Sequence, residues 1–224
     1  HRKANRLKSF IKKRFHLTQE FKSLKALECY DWKAHFDVVA TGSDQVWNYR
    51  YLYADSAFML SFLPQGLRRI SIASSFACKE IIPQYLEKFE LSRDVKVMLD
   101  PTLLLSGEQW LSIIPERPVK RLKDKPFILL YGLYYAFEPR PYIFDVLKHF
   151  QQRMQCPIVA LEGYMKPRMC NGLHMVDCTD ATLYEFMYLF HHARLVITSS
   201  FHGTAFALNF SRPLISIVPD NGID

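Results

Sequence analysis

The sequence predicts an α/β protein made of two doubly wound domains, each with a parallel sheet between layers of helices. Short runs of continuous apolar residues alternate along the chain with longer segments of helical periodicity. Strands that are apolar on both faces are typical of buried parallel sheets. A proline-rich, charged segment at 115–126 divides this pattern, as linkers between domains commonly do. We therefore expect an N-terminal domain at 1–118 and a C-terminal domain at 119–224.

The first domain begins with an amphipathic segment. Apolar residues recur at helical spacing over residues 5–25, with Lys and Arg between them, which predicts a helix. We expect its apolar stripe to pack against the protein, and the alternative is contact of residues 1–25 with an anionic membrane or an acidic glycan. The other elements predicted in this domain are strands at 36–42, 69–76 and 95–99 and the start of a helix at 83–90.

The second domain shows the same alternation more regularly. Its predicted strands lie at 127–132, 156–161, 194–198 and 213–218, and its predicted helices at 139–154, 180–193 and 203–209. In open parallel sheets, ligands bind outside the carboxyl ends of the strands. Polar residues that directly follow a predicted strand are therefore the first candidates for a functional site.

Charge and cysteine content exclude several classes of protein. The formal charge of +7 is concentrated in residues 1–25, which hold nine of the 29 Lys and Arg residues. The remainder of the chain is close to neutral, which argues against a nucleic-acid-binding protein. The five cysteines lack disulfide-like or zinc-like spacing, so we expect a reducing, cytoplasmic environment and no bound metal. The sequence contains no apolar run of about 18 residues, the length that spans a membrane.

The clearest chemical signal follows the strand at 194–198. Small polar residues lead into His202-Gly203 and then into a helix, whose N-terminal N–H groups and dipole suit a phosphate. His202 is a candidate to donate to this anion or to transfer a proton, and Gly203 would permit close approach. The hydroxyl donors nearby are Ser199, Ser200 and Thr204. A helix cap with a structural histidine is the alternative, so the motif alone predicts only an anion site.

A second polar segment follows the strand at 36–42. Asp44 is a candidate acid or base, and Trp47 is a candidate to contact the face of a sugar ring. The other candidates to bind sugar hydroxyls are Gly42, Ser43, Gln45 and Asn48. The alternative is a turn in which Asp44 caps the next helix and Trp47 lies in the core. Further on, Asp100-Pro101 predicts a rigid turn.

Taken in order, these segments resemble the polysaccharide pyruvyl transferase family. The motifs that carry the resemblance are Gly42-Ser-Asp-Gln-Val-Trp-Asn48, Ile72-Ala-Ser-Ser-Phe76, Asp100-Pro-Thr-Leu-Leu-Leu105 and Ser199-Ser-Phe-His-Gly-Thr-Ala-Phe206. The resemblance extends over residues 36–218 and implies two Rossmann-like domains in a GT-B-like arrangement, the first of them incomplete in this chain. It implies a transferase that moves a pyruvyl group from phosphoenolpyruvate to a sugar of a surface polysaccharide or its precursor, as a ketal.

The resemblance also implies roles for the residues named above. The donor phosphate would lie at the helix start around His202 and Gly203, and Asp44 would serve the acceptor, a glycan or lipid-linked sugar. No cofactor other than the donor substrate is implied. The family carries basic residues where this chain has Ser200-Phe201, and an Arg where it has Tyr131-Gly132-Leu133. The candidates to bind the donor carboxylate are instead Arg50, Lys166 and Arg168.

Two other functions stay open on the sequence. A nucleotide-sugar glycosyltransferase of GT-B type would use the same helix start for a diphosphate. A non-catalytic carbohydrate-binding protein is the third interpretation, because fold alone does not determine activity.

Overall fold

In the computed structural model of this chain, the described residues are 2–48, 56–75, 98–123, 125–133, 138–162 and 172–218. The helices are α1 (Arg2–Arg14), α2 (Leu24–Glu28), α3 (Trp32–His35), α4 (Gly107–Ile113), α5 (Tyr142–Met154), α6 (Leu183–His192) and α7 (Phe201–Asn209). The strands are β1 (Val38–Asp44), β2 (Arg68–Ser74), β3 (Ile128–Tyr131), β4 (Ile158–Ala160), β5 (Met175–Asp177), β6 (Leu195–Thr198) and β7 (Leu214–Ser216). All described strand pairs are parallel, so the protein is an α/β protein with parallel sheets, consistent with a Rossmann-like fold.

The chain divides into two compact units. The smaller unit comprises residues 17–104, and the larger unit comprises residues 105–224 together with residues 1–16. The domain boundary at 118/119 that the sequence suggests stays a prediction. In the described part of the chain, no helix is both long enough and apolar enough to cross a membrane.

The larger unit contains a five-stranded parallel sheet in the order β5-β4-β3-β6-β7. Counted from the first strand of this unit, the order is 3-2-1-4-5, which is that of a Rossmann sheet. In the middle of the sheet, Leu129 of β3 lies beside Val159 of β4 on one side and Val196 of β6 on the other. All three side chains are fully buried, as expected for strands covered on both faces.

Two apolar cores cover the two faces of this sheet. Alternate strand residues point to opposite faces, so Ile128 and Ile197 pack with Leu147 of α5, whereas Leu129 packs on the other side with Phe190 of α6. Burial of each such side chain contributes about 1.5–3 kcal/mol to folding. The predicted strands and helices of the second domain are all confirmed, with bounds that differ by at most three residues.

Two elements of the larger unit were not predicted. Helix α4 begins with a capping box, in which the Ser106 side chain accepts from the Gln109 N–H and the Gln109 side chain accepts from the Ser106 N–H. This Ser-x-x-Gln spacing is a helix-start signal that is readable in the sequence. Strand β5 has only three residues, all partly or fully exposed, so its sequence carries little apolar signal.

Helix α1 packs on the larger unit. The Arg6 guanidinium donates to the Asp180 carbonyl oxygen at 2.5 Å, and the Arg14 guanidinium donates to a carbonyl oxygen of α4 at 2.6 Å. The ring of Phe10 lies 6.1 Å from that of Tyr184 on α6, edge to face. Part of the apolar stripe therefore packs on the protein, as the sequence analysis expects.

The prediction of one continuous helix over 5–25 is wrong beyond Arg14. Helix α1 ends there, and α2 begins only at Leu24. Three basic residues form its last turn, where they complement the negative end of the helix dipole. Phe15 and Leu17 are 59% and 57% exposed, so burial supplies little free energy to extend a helix that needs tertiary packing.

The smaller unit contains the two-stranded parallel sheet β1-β2 and a separate core. Trp32 is buried with Leu60, Leu63 and Leu67, and its indole N–H donates to the Leu27 carbonyl oxygen at 2.7 Å. The predictions of strands at 36–42 and 69–76 are confirmed in β1 and β2, although β1 continues to Asp44. The predicted helix start at 83–90 and most of the predicted strand at 95–99 lie outside the described residues.

Cys29 and Cys178 should differ strongly in their reactivity towards alkylating reagents. Cys29 is exposed and Cys178 is fully buried, and burial raises the pKa of the Cys178 thiol to about 11. Because the thiolate is the nucleophile, we expect iodoacetamide at pH 8 to alkylate Cys29 much faster than Cys178 in native protein. Peptide mass spectrometry measures both rates, and urea-unfolded protein is the control in which they should converge. Equal rates in native protein would contradict the buried position of Cys178.

Candidate functional site

The carboxyl ends of β3 and β6 meet at the centre of the larger sheet. The strand order reverses between these two neighbours, because β4 and β5 extend the sheet beyond β3 and β7 extends it beyond β6. Ligands of open parallel sheets bind in the crevice at such a switch point. The predicted residues 199–204 directly follow β6, and Gly132-Leu133 directly follow β3. The structure therefore brings the predicted anion site to the expected edge of the sheet.

Hydrogen bonds join the two strand ends. The Thr198 hydroxyl donates to the Tyr131 carbonyl oxygen at 2.7 Å and accepts from the Ser200 N–H at 3.0 Å. The Ser199 hydroxyl accepts from the Leu133 N–H at 2.8 Å and donates to the Leu133 carbonyl oxygen at 3.1 Å. Thr198 is fully buried, so its bonds form away from water. The segments after β3 and β6 are thus held as one unit.

Helix α7 starts directly from this arrangement. Ser200 is its N-cap residue, and its hydroxyl accepts from the Gly203 N–H at 3.3 Å. This bond satisfies one of the first-turn N–H groups that a helix leaves without an intrahelical partner. The cap that the sequence analysis gave as an alternative is therefore present. It is compatible with an anion at the helix N-terminus, where the dipole favours negative charge.

His202 is the second residue of α7 and is half-buried. Its ring lies 5.5 Å from the exposed ring of Phe201, edge to face. The Thr204 hydroxyl lies 3.3 Å from that of Ser216 on β7. His202 is therefore at the helix start that the sequence indicated, and its catalytic role stays a prediction.

The predicted hydroxyl donors make bonds within the protein. The proton of Ser199 goes to Leu133, the Ser200 oxygen caps α7, and Thr204 pairs with Ser216. A ligand that took the Ser199 proton would have to replace a bond that holds the β3 segment. The role of Ser199, Ser200 and Thr204 in binding phosphate stays a prediction. Their hydrogen bonds show a structural role, in which they hold the segments around α7 in place.

Sequence reasoning missed Thr198 and Tyr131, the pair on which the site is built. A Cβ atom added to Gly203 would lie 2.8 Å from Cδ1 of Tyr131 and 3.0 Å from Cβ of Thr198. Gly203 thus allows α7 to pack closely on the strand ends. This packing role is additional to the close approach of a ligand that the sequence suggested. A polar threonine at the end of an apolar strand was the available signal.

In the smaller unit, Gly42 and Ser43 lie within β1 rather than in a loop. Gly42 pairs with Ile72, and Asp44 pairs with Ser74. Gly42 has φ +137°, and an added Cβ would collide with the Ile72 carbonyl oxygen. A side chain at Gly42 would therefore be strained and would clash. Asp44 is exposed at the strand end, a position open to a ligand.

The residues after Asp44 form a compact turn. The indole N–H of Trp47 donates to the Phe58 carbonyl oxygen at 3.0 Å. The Asn48 amide donates to the Gln45 side-chain oxygen at 2.9 Å, and Asn48 is only 4% exposed. No helix begins within residues 45–48, so Asp44 does not cap one there. The sugar-binding roles of these residues stay predictions.

The predicted turn at Asp100 and the basic residues predicted to bind the donor carboxylate remain to be placed in the structure. The Asp100 carboxylate accepts from the N–H of Thr102 at 2.9 Å and from its hydroxyl at 2.6 Å, which confirms the rigid turn. The three basic candidates for the donor carboxylate, Arg50, Lys166 and Arg168, lie outside the described residues.

Comparison with models of known protein families identifies the family of this chain. Residues 2–221 match the family model described as polysaccharide pyruvyl transferase. No curated protein matches significantly. The match spans nearly the whole chain and therefore covers both compact units.

Proposed function

Since the chain belongs to the polysaccharide pyruvyl transferase family, we propose that it transfers a pyruvyl group from phosphoenolpyruvate to a sugar of a surface polysaccharide or its precursor. The observation that carries this proposal is the helix start at the switch point of the larger sheet, held by Thr198 and Ser199. Such a helix N-terminus suits the phosphate of the donor. The product would be a ketal of pyruvate, and the acceptor would be a glycan or a lipid-linked sugar.

The proposed reaction forms one C–H bond and two C–O bonds. An acid protonates the methylene carbon of phosphoenolpyruvate, which creates an oxocarbenium-like centre at the neighbouring carbon. One sugar hydroxyl attacks this carbon, phosphate leaves, and a second hydroxyl of the same sugar closes the ketal. The two hydroxyl protons balance the proton taken up by the methylene carbon and the one carried by the leaving phosphate. No oxidant or metal enters this balance.

Residues from both units have roles in this proposal. His202 would donate to the donor phosphate as its charge develops, because a positioned donor lowers the energy of the transition state. Asp44 would act as acid or base on the acceptor side. The first-turn N–H groups of α7 would supply much of the stabilisation of the phosphate charge, because this chain has Ser200-Phe201 where the family carries basic residues. The GT-B-like arrangement of the two units is part of the same proposal.

The decisive experiment mixes the protein with phosphoenolpyruvate and a panel of candidate glycans. We expect phosphate release together with a new ketal methyl signal in the NMR spectrum of the product. Reactions without acceptor and with heat-inactivated protein are the controls. If no glycan yields a ketal while a nucleotide sugar is turned over, the glycosyltransferase alternative replaces the proposal.

A binding experiment separates the three functions and does not require an identified acceptor. A ligand that binds only the folded state stabilises it, by about 2.7 kcal/mol at a hundredfold excess over Kd. We expect phosphoenolpyruvate to raise the melting temperature more than nucleoside diphosphates at equal concentration. Glycan binding without any turnover would favour the carbohydrate-binding alternative.

Contact with an anionic membrane through residues 1–25 also belongs to the proposal. Leu7 and Phe15 are exposed and lie near Lys8, Lys12 and Lys13 on the same short segment. Exposed apolar side chains among basic ones favour an anionic lipid surface. Phe10 contacts Tyr184 and is therefore not part of such a surface.

A further inference from the structure

Two adjacent histidines and a glutamate converge on one point of the larger unit. Nδ1 of His191 lies 2.9 Å from Oε2 of Glu116. Nε2 of His192 lies 3.0 Å from Oε1 and 3.1 Å from Oε2 of the same carboxylate. The three ligand atoms all lie within 4.8 Å of one another. We call Glu116, His191 and His192 the Glu116 cluster.

The backbone around the Glu116 cluster is fixed from both sides of the carboxylate. Ile114 and Val119 are buried in the core that contains Leu129 and Phe190, so the segment between them cannot move far. The Arg117 N–H donates to the Tyr184 carbonyl oxygen at 3.0 Å, and its guanidinium lies 4.7 Å from the centre of the Tyr184 ring. Glu116 is therefore held against α6 independently of its own contact with the histidines.

The two imidazole rings are also held by neighbours. The ring of His192 packs at 4.5 Å from that of Tyr188, one helical turn earlier. The ring of His191 packs at 5.2 Å from that of Phe210, at the end of α7. Rings positioned in this way lose less conformational freedom when they bind a ligand, so the site is partly preorganised.

The donor atoms match the preference of a divalent transition metal. Imidazole nitrogen and carboxylate oxygen bind Zn²⁺ at about 2.0–2.2 Å, which puts tetrahedral ligands at ~3.3 Å from one another. The separations of 2.9–3.1 Å between Glu116 and the rings are slightly shorter, and small shifts of side chains would open them. The two histidines also lie in the last turn of α6, where the helix dipole favours a cation.

From this geometry we propose that the Glu116 cluster binds a divalent transition-metal ion, with Zn²⁺ as the probe. The ion takes the place of the direct contacts between the carboxylate and the rings of His191 and His192. No metal was expected from the sequence, because its cysteines lack zinc-like spacing. Glu116 lies 75 positions from His191, so no short spacing signals this site.

The place of the cluster in the fold indicates a structural role for the ion. Helix α6 ends at His192 just before β6 begins at Leu195, so the cluster lies towards the amino ends of the parallel strands. The proposed donor site follows the carboxyl ends of those strands. The ion would join the 114–119 segment to α6, and it would stabilise the larger unit whatever reaction the protein performs.

The test uses the full chain without a histidine tag, stripped with EDTA and dialysed. We expect calorimetric titration with ZnCl₂ to show one equivalent bound with the highest affinity, and the melting temperature to rise. Mg²⁺ and Ca²⁺ at the same concentration should neither bind in the calorimeter nor raise the melting temperature, because they prefer sites made wholly of oxygen ligands. All proteins carry Cys29→Ser, since the thiol of Cys29 is exposed and could bind zinc itself.

Two variants and one control decide the proposal. Glu116→Gln keeps the shape and a hydrogen-bonding oxygen, and His192→Asn changes an exposed ring. Loss of a group that only hydrogen-bonds to a metal ligand commonly weakens metal binding by about tenfold or more. Each of these variants loses a ligand itself, so we expect zinc binding to weaken by at least about tenfold. His149→Asn changes an exposed histidine on α5, outside the cluster, and should bind zinc as the parent does. Circular dichroism verifies the folding of all three.

Two results would overturn the proposal. If the parent protein binds no zinc, the cluster is a carboxylate–imidazole contact that only fastens the 114–119 segment. If Glu116→Gln and His192→Asn, both folded, bind zinc with the parent affinity, the ion binds elsewhere. Each outcome is independent of the transferase assay, because the readouts are binding and melting temperature.

Discussion

Replacing His202 with alanine is expected to lower the rate of phosphate release and ketal formation by about 10²–10⁴-fold, the usual contribution of one positioned acid or base. His202 is the second residue of α7, beside the N–H groups that we propose as the phosphate site. It is half-buried rather than part of the core, so the substitution should change stability by no more than about 1 kcal/mol. Initial rates with phosphoenolpyruvate and a working acceptor measure the effect.

The separate rate constants distinguish two roles for His202. A fall in kcat with little change in KM would indicate an interaction made mainly in the transition state, whereas a rise in KM alone would indicate ground-state binding of the donor. His149→Ala is the matched control, because it removes an exposed imidazole from α5. Full activity of the folded His202→Ala protein would mean that the site assignment is wrong.

The central strands β3, β4 and β6 of the larger unit were predictable because burial on both faces leaves a local signal. β3 and the first three residues of β6 are continuous apolar runs. Such runs lack the spaced apolar residues of an amphipathic helix, and their short length favours a strand over a buried helix. Helix α6 adds a capping box, Thr182-x-x-Glu185, that marks its start. By contrast, in the helix predicted over 5–25 the apolar side chains of Phe15 and Leu17, directly beyond Arg14, are exposed. Periodicity predicts a helix only where the folded protein offers a surface for its apolar face.

The position of the candidate site was predictable, but its construction was not. A polar segment after an apolar strand indicates a ligand site in an open parallel sheet, and Ser199 and His202 were chosen as candidates in this way. Thr198 and Tyr131 are 67 positions apart, and their hydrogen bond depends on the neighbouring positions of β3 and β6 in the sheet. The same reason hid the Glu116 cluster. Local motifs thus located the site, whereas its support comes from contacts that only the fold creates.

Gly203→Ala is expected to destabilise the larger unit by about 1–3 kcal/mol, the usual range for forcing an extra methyl group into a packed site. Alanine is the better helix former by about 1 kcal/mol, so helix propensity alone would predict a stabilised protein. The clash opposes it: the new Cβ would lie 2.8 Å from Cδ1 of Tyr131 and 3.0 Å from Cβ of Thr198. If Thr198 moves aside, its bonds to Tyr131 and Ser200 are strained, and each contributes about 0.5–1.5 kcal/mol.

Urea denaturation of the two proteins measures this difference directly. Gly132→Ala is the matched control, because it makes the same change in the adjoining segment and its added Cβ would meet nothing within 4 Å. It should leave the free energy of unfolding within about 0.5 kcal/mol of the parent. A Gly203→Ala protein as stable as the parent would show that α7 can move away from β3 and β6 without loss.

The same substitution should reduce activity by more than unfolding explains. Because the Thr198 hydroxyl accepts from the Ser200 N–H, a displaced Thr198 also displaces the residue that caps α7. Misplacement of a binding group by about 1 Å is enough to lower a rate 10²-fold. We therefore expect folded Gly203→Ala protein, assayed well below its melting temperature, to lose most of its phosphate release while Gly132→Ala retains it. Normal activity in a destabilised Gly203→Ala protein would separate the packing of α7 from catalysis and place the donor phosphate elsewhere.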